Sequence, residues 1–213
     1  MTATHLTAVP SSRRLSVPVS TSRAFARLLL VTGGFGLAAA TALTLEKIRL
    51  LENPAYVPTC NINPIVSCGS VMRTAQASVF GFPNSLIGIG AFAVVVTIGA
   101  VAATGAGLPR WFWSGLQSGT LFGIGFVVWL MNQSIYHIGA LCPYCMVVWA
   151  AMIPLFWYIT LHNVKHKVIP LPTRWRSATE LVLRHHWIAP AACYAAIMLL
   201  ILSRFWYFWR TLL

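Results

Sequence analysis

Five stretches of this chain are apolar for long enough to cross a lipid bilayer, a pattern that almost no soluble fold can accommodate. Leu28 to Leu45 supplies 18 such residues, which at a rise of about 1.5 Å each nearly span a hydrocarbon core of about 30 Å. The second stretch opens at Asn84-Ser85 behind Pro83, a residue suited to a first helical turn, and runs to about Ala103. The third runs from Trp111 to about Ile135 and the fourth from Met146 to Leu161. The fifth runs from Trp187 to about Phe208 and closes in the belt Phe205, Trp206, Tyr207, Phe208 and Trp209, of the kind that anchors helices at an interface.

Composition agrees. Charged residues make up 8% of the chain, where soluble domains carry about 25%. Mean hydropathy is +0.74, and Asp is absent. The fold class expected is an all-α integral membrane protein. The net charge of +12 would suggest nucleic acid in a soluble protein, but no basic patch alternates with aromatics on a soluble module, which excludes that class. Basic residues instead set orientation and meet anionic lipid. With the N-terminus in the cytoplasm, ten Lys and Arg fall on inner segments and five on outer ones. This arrangement puts the loops after the first and third spans on the extracytoplasmic face of the plasma membrane.

Four regions are expected. Residues 1–27 form a disordered basic cytoplasmic tail, and 28–161 a four-helix core with an outer loop at 46–82. Residues 162–186 form a basic cytoplasmic loop, and 187–213 a fifth transmembrane helix with a short tail. The first helix is expected to be retained, although Ala38-Ala39-Ala40 also suits a signal-peptide cleavage site. Within the outer loop, Val71 to Phe80 is expected to form a short interfacial helix with Arg73 reaching water. Gly115, Gly119 and Gly123 are spaced to let helices approach closely.

The cysteines carry the chemistry. Cys142-Pro143-Tyr144-Cys145 sits at the start of the fourth span, where both thiolates gain from a helix N-terminus. Cys60 and Cys68 lie in the Pro-bearing loop after the first span. The orientation puts both pairs in an oxidising compartment. Thiol–disulfide exchange proceeds through a mixed disulfide, so a fixed pair and a loop pair on one surface can form a relay. Two static disulfides bracing the loop, or a metal held by four thiolates, are the rival readings. The spacing lacks the two short knuckles of a zinc ribbon, and no metal is expected. Cys193, in the fifth span, is expected to be an inert thiol. His137 lies five residues before Cys142 and is expected to be a simple interfacial histidine. His162, His166, His185 and His186 fall on the inner side.

These residues resemble the vitamin K epoxide reductase family in its bacterial, disulfide-forming branch. The resemblance covers about Leu28 to Leu161. It rests on the Cys60-x7-Cys68 loop, Thr74, Asn84-Ser85 with Gly88, and the closing C-x-x-C. It implies a four-helix bundle around a quinone, menaquinone or ubiquinone, plus the fifth transmembrane helix. Cys145 would reduce the quinone with Cys142 as its partner, Cys60 would exchange with Cys142, and Cys68 would meet a separate thioredoxin-fold protein of the DsbA type. Asn84 would bond a quinone carbonyl, though the residues alone make it a helix cap. Phe80, Phe82, Leu86 and Trp149 would line the pocket. Trp149 stands where vertebrate members carry a tyrosine, and an indole offers an N–H but no hydroxyl. The expected reaction is therefore thiol oxidation coupled to quinone reduction, with reduction of vitamin K epoxide or a non-enzymatic scaffold as alternatives.

Overall fold

The computed structural model describes residues 19–170 and 172–210. Helix α1 (Arg23–Glu52) is 30 residues long, so it extends about 45 Å and overruns a hydrocarbon core at both ends. Ser22 starts it by accepting from the Phe25 N–H. Two expected boundaries therefore move. Of the expected disordered tail, residues 1–18 lie outside the described residues, whereas Val19 pairs with Leu108 and helix begins at Arg23. At its other end α1 takes up the start of the expected loop, which now begins at Asn53.

Beyond α1 the loop carries α2 (Cys68–Met72) and a 3-10 turn at Ala75–Ser78. No continuous helix covers 71–80, because the chain turns extended at Thr74, whose hydroxyl donates to Val71 O instead of helping a helix continue. Three helices follow: α3 (Asn84–Ala103), α4 (Arg110–Asn132) and α5 (Pro143–Lys165). A π-turn, Gln133–Ile138, prolongs α4 and is stopped by Gly139 at φ 69°. The region expected as a basic loop holds a 3-10 turn, Thr173–Trp175, and α6 (Arg176–Arg184). Then come α7 (Ile188–Arg204) and α8 (Trp206–Trp209). Among the described residues, 4 helices are long and apolar enough to cross a membrane; a fifth span exists only if Ser177–Arg184 and Ile188–Arg204, bent by 67°, count as one.

The bundle is assembled by α1 packing on both α3 and α5, and α4 on α5. Glycine makes the α1–α3 contact close. A Cβ on Gly36 would lie 2.3 Å from the ring of Phe92, and one on Gly99 would lie 3.0 Å from the Leu30 backbone. The stripe Gly115, Gly119 and Gly123 does something else. A Cβ on Gly115 or Gly119 would meet no atom within 4 Å, and on Gly123 only the flexible end of Met152. These glycines do not bring helices together; they hollow out α4 where α3 stands away from it.

Pro154 lies inside α5 and has no N–H for the carbonyl four residues back. That carbonyl, Ala150 O, accepts instead from Tyr194 Oη of α7 at 2.6 Å. A helix defect thus becomes the docking point for the last long helix.

Gly36→Ala is expected to destabilise the folded bundle by about 1–3 kcal/mol through overpacking on Phe92. Gly34→Ala, where a Cβ meets nothing within 4 Å, is the matched control. Thermal unfolding of both in detergent checks this, and equal stability of the two variants would contradict the close α1–α3 contact.

Candidate redox site

The site begins with the loop that carries Cys60 and Cys68. Glu46, on the last turns of α1, is buried and accepts from Tyr56 Oη at 3.1 Å and from Thr59 Oγ1 at 2.8 Å, which fixes the segment leading to Cys60. Asn61 Oδ1 then accepts from Ser67 Oγ and the Gly69 N–H, and Asn63 Oδ1 accepts from the N–H groups of Ile65 and Val66. These short-range bonds shape residues 61–69 into a compact loop. The loop docks by main chain: Ser67 N–H donates to Leu141 O at 2.9 Å, and Leu141 N–H donates to Ile65 O at 2.7 Å. On the other side, Gly139 N–H bonds Ser134 O and Ser134 Oγ donates to Ala140 O, so the segment entering α5 is held as well.

Pairing 65–67 with Leu141 sets the next residues of each chain segment side by side. Cys60 and Cys68 are joined as a disulfide, and Cys142 and Cys145 are free thiols. Cys142 Sγ lies 3.2 Å from Cys68 Sγ, and both residues are fully buried. The resemblance implied that Cys60 meets Cys142 and Cys68 meets the partner; the geometry puts Cys68 against Cys142. Leu141 pairs with the segment just before Cys68, and one residue further on along both segments the two sulfurs come together. Cys60 is buried as well, at 6% exposure against 0% for Cys68, in a segment that also carries the exposed Val57 and Ile62.

Cys142 precedes the first turn of α5 and Cys145 lies within it. The hydrogen bond from the Cys145 thiol holds the Cys142 thiol below its ordinary value, with help from the N–H groups of Cys145 and Tyr144 and against the effect of burial. The thiolate is the nucleophile in exchange, so this favours the reactive form of the sulfur that touches the loop.

Cys145 faces the other way. It lines a cavity of about 500 Å³ between α3 and α4, within the range of small-molecule sites. Most of the polar lining is gathered at the cysteine end: Lys47, Thr74, Gln76, Asn84, Ser85, Gln133 and Ser134. From there the cavity runs along α4 past Gly123, Gly119 and Gly115 to Trp111 and Phe112 and is almost wholly apolar. Trp149 is on its wall and buried. Asn84 is there too, but in a double role. Its Nδ2 donates to Gln76 O at 2.7 Å and its Oδ1 accepts from the Val79 N–H at 3.2 Å, stapling the 3-10 turn to α3. An amide nitrogen has two hydrogens, which leaves one for a ligand.

Phe80, Phe82 and Leu86, expected in the pocket, are not part of its lining. They are between 43% and 49% exposed. The chain reverses at Gly81, φ 81°, which throws both phenylalanines outward, where Phe80 packs on Phe126 at the rim. Leu86 is on the face of α3 away from the cavity lining residues Ser85 and Gly88. The sequence reading missed Lys47, Gln76, Gln133 and Ser134, which are scattered over three segments and share no spacing. Cys193 is exposed on α7, and His137 is exposed on the π-turn. No group of three or more metal-ligating side chains occurs among the described residues.

This geometry makes two outcomes measurable. In Cys60→Ala/Cys145→Ala the remaining Cys68 and Cys142 should oxidise readily to a mixed disulfide, whereas Cys68→Ala/Cys145→Ala should give little Cys60–Cys142 product; peptide mapping without reductant distinguishes them. In a Cys193→Ala background with the loop disulfide intact, Cys145→Ala removes the main stabiliser of the Cys142 thiolate. Its titration, followed by thiolate ultraviolet absorbance, should move to higher pH, so the thiolate fraction at neutral pH falls.

A sequence model of the vitamin K epoxide reductase family matches residues 27–160. No curated protein matches the chain. The matched span covers α1 to α5 and includes all four cysteines of the site, and it supports a membrane thiol oxidoreductase or quinone reductase in general. The chain belongs to the vitamin K epoxide reductase family.

Proposed function

We propose that this protein oxidises an extracytoplasmic thioredoxin-fold protein, of the DsbA type, and passes two electrons to a membrane quinone. The observation that carries the reading is the split of one cysteine pair: Cys142 touches the loop disulfide while Cys145 lies on the wall of a lipid-sized cavity. A static disulfide brace has no use for a free thiol in such a place.

Each cysteine has its own step. A partner thiolate attacks Cys60 Sγ, on the less deeply buried of the two loop cysteines, and Cys68 leaves as a thiolate. The partner's second thiol resolves the mixed disulfide, leaving Cys60 and Cys68 reduced and the partner oxidised. Cys68 then attacks Cys142 of a Cys142–Cys145 disulfide, and Cys145 leaves as a thiolate facing the cavity. Cys60 attacks Cys68 and releases Cys142. The loop is again a disulfide and the inner pair a dithiol, the arrangement present in this structure. A quinone, when bound, accepts the two electrons and two protons that Cys142 and Cys145 give up as they reform their disulfide.

The cavity fits such an acceptor: a polar end beside Cys145 for a head group and an apolar channel of glycine-lined wall for a tail. The slight contact between α3 and α4 leaves a side from which a lipid-soluble molecule can arrive. Menaquinone remains the preferred acceptor over ubiquinone by the family resemblance. Orientation follows the basic residues, with the N-terminus cytoplasmic and both cysteine pairs outside.

The test is anaerobic turnover of purified protein with a reduced thioredoxin-fold substrate and a naphthoquinone, followed by quinone absorbance. Quinone loss should match disulfide formed and vanish in Cys145→Ala; a flat trace in the unmodified protein would refute the reading. Cys60→Ala should lose turnover with the protein substrate but retain it with a small membrane-permeant dithiol. Gly119→Leu should raise KM for a long-tailed quinone about tenfold or more, as overpacking by about 1–3 kcal/mol requires, and leave a tail-less naphthoquinone nearly unaffected.

A further inference from the structure

Among the described residues, Lys47 is the only charged one on the lining of the cavity that Cys145 faces. Its ammonium donates to Met72 O, the carbonyl at the end of α2. It has no carboxylate partner: the one ion pair among the described residues is Arg49 with Glu46, at 3.9 Å. The neighbouring Glu46 is turned away and occupied by Tyr56 and Thr59. The other cations at this end of the bundle are directed elsewhere. The Arg49 side chain is 57% exposed, and exposed Arg73 donates to the carbonyls of Pro54 and Tyr56.

A cation on the wall of a largely apolar cavity is costly to keep. A tether to Met72 O uses one of the three ammonium hydrogens and leaves two. A polar neutral side chain would serve as a tether without that cost. The remaining donors share the polar end of the cavity with Thr74, Gln76, Asn84 and Cys145.

We propose that Lys47 is a catalytic residue that stabilises negative charge on an acceptor oxygen during electron transfer from Cys145. The inference rests on the quinone-reducing reading above. In that step Cys142 and Cys145 form their disulfide and release two electrons and two protons, and the two carbonyl oxygens of the acceptor gain both and become hydroxyls. Charge reaches the oxygens ahead of the second proton. A fixed ammonium in a low-dielectric wall stabilises that charge without having to reorganise. It does so only as charge develops, which raises kcat more than it lowers KM.

The test uses binding as well as turnover. The protein in detergent is titrated with a naphthoquinone and with a hydroxynaphthoquinone, which is anionic at neutral pH, and quenching of tryptophan fluorescence reports occupancy beside Trp149. Lys47→Met should weaken the anion at least about tenfold, as loss of a charge-assisted hydrogen bond requires, while the neutral quinone binds as in the unmodified protein. Lys47→Arg should keep the anion's affinity. In turnover with a small dithiol, Lys47→Met should lower kcat with little change in KM, and Lys47→Arg should recover most of it. Unchanged anion affinity in Lys47→Met overturns the proposal. So does an equal loss for both ligands, which marks Lys47 as a structural tether. If neither ligand saturates the unmodified protein, the acceptor site itself is wrong and the role of Lys47 falls with it, a failure distinct from the first two.

Discussion

A cysteine on a loop and a cysteine at a helix start meet only if the backbone beside each is held, and here two hydrogen bonds between Leu141 and residues 65–67 do the holding. Backbone pairing has fixed geometry, so it transmits register: Cys142 is the next residue after Leu141, and Cys68 is the next after Ser67. Each side of the pairing is stiffened locally, by Asn61 and Asn63 in the loop and by Ser134 near the start of the π-turn. The sulfur contact is therefore a consequence of main-chain alignment and owes nothing to affinity between the thiols. The same alignment leaves Cys145, three residues further along, turned from the loop toward the cavity.

Glycine does two opposite things in this bundle. At Gly36 and Gly99 it admits a neighbouring side chain or backbone to within contact distance and binds α1 to α3. At Gly115 and Gly119 no neighbour comes, and the absent side chains become volume. In lipid, helices are not driven together by the hydrophobic effect, so packing of this kind decides which pairs associate. The α1–α3 and α4–α5 contacts are close, α3 and α4 remain apart, and a cavity persists between them.

With so few polar groups, each has a visible task. Glu46 shapes the segment before Cys60, Asn84 ties the 3-10 turn to α3, and Tyr194 repairs the carbonyl that Pro154 leaves unpaired in α5. Glu46 and Lys47 are adjacent in sequence yet point into different environments, because successive residues on a helix lie about 100° apart. One organises the loop that carries Cys60 and Cys68, and the other lines the cavity proposed to hold the electron acceptor.

The amino-acid sequence by itself determined the helical membrane class, four of the five spans expected from it, the family and the four cysteines, because apolar length and a local C-x-x-C are properties of consecutive residues. Through the family resemblance it also singled out Trp149 and Asn84, which both lie on the cavity lining. Only the tertiary structure decided that Cys68 and not Cys60 faces Cys142, since 74 residues separate the two and their meeting depends on the register of the loop with Leu141. The structure also moved Phe80, Phe82 and Leu86 out of the pocket, through a reversal at Gly81 and the facing of α3. It turned the α4 glycines from a packing stripe into cavity wall. Glycine spacing marks a smooth face, but whether a helix or a void lies against that face depends on partners that the spacing does not contain. The same holds for Lys47, which in sequence is one more basic residue at a membrane surface and becomes part of a site only where α1, α2 and α3 converge.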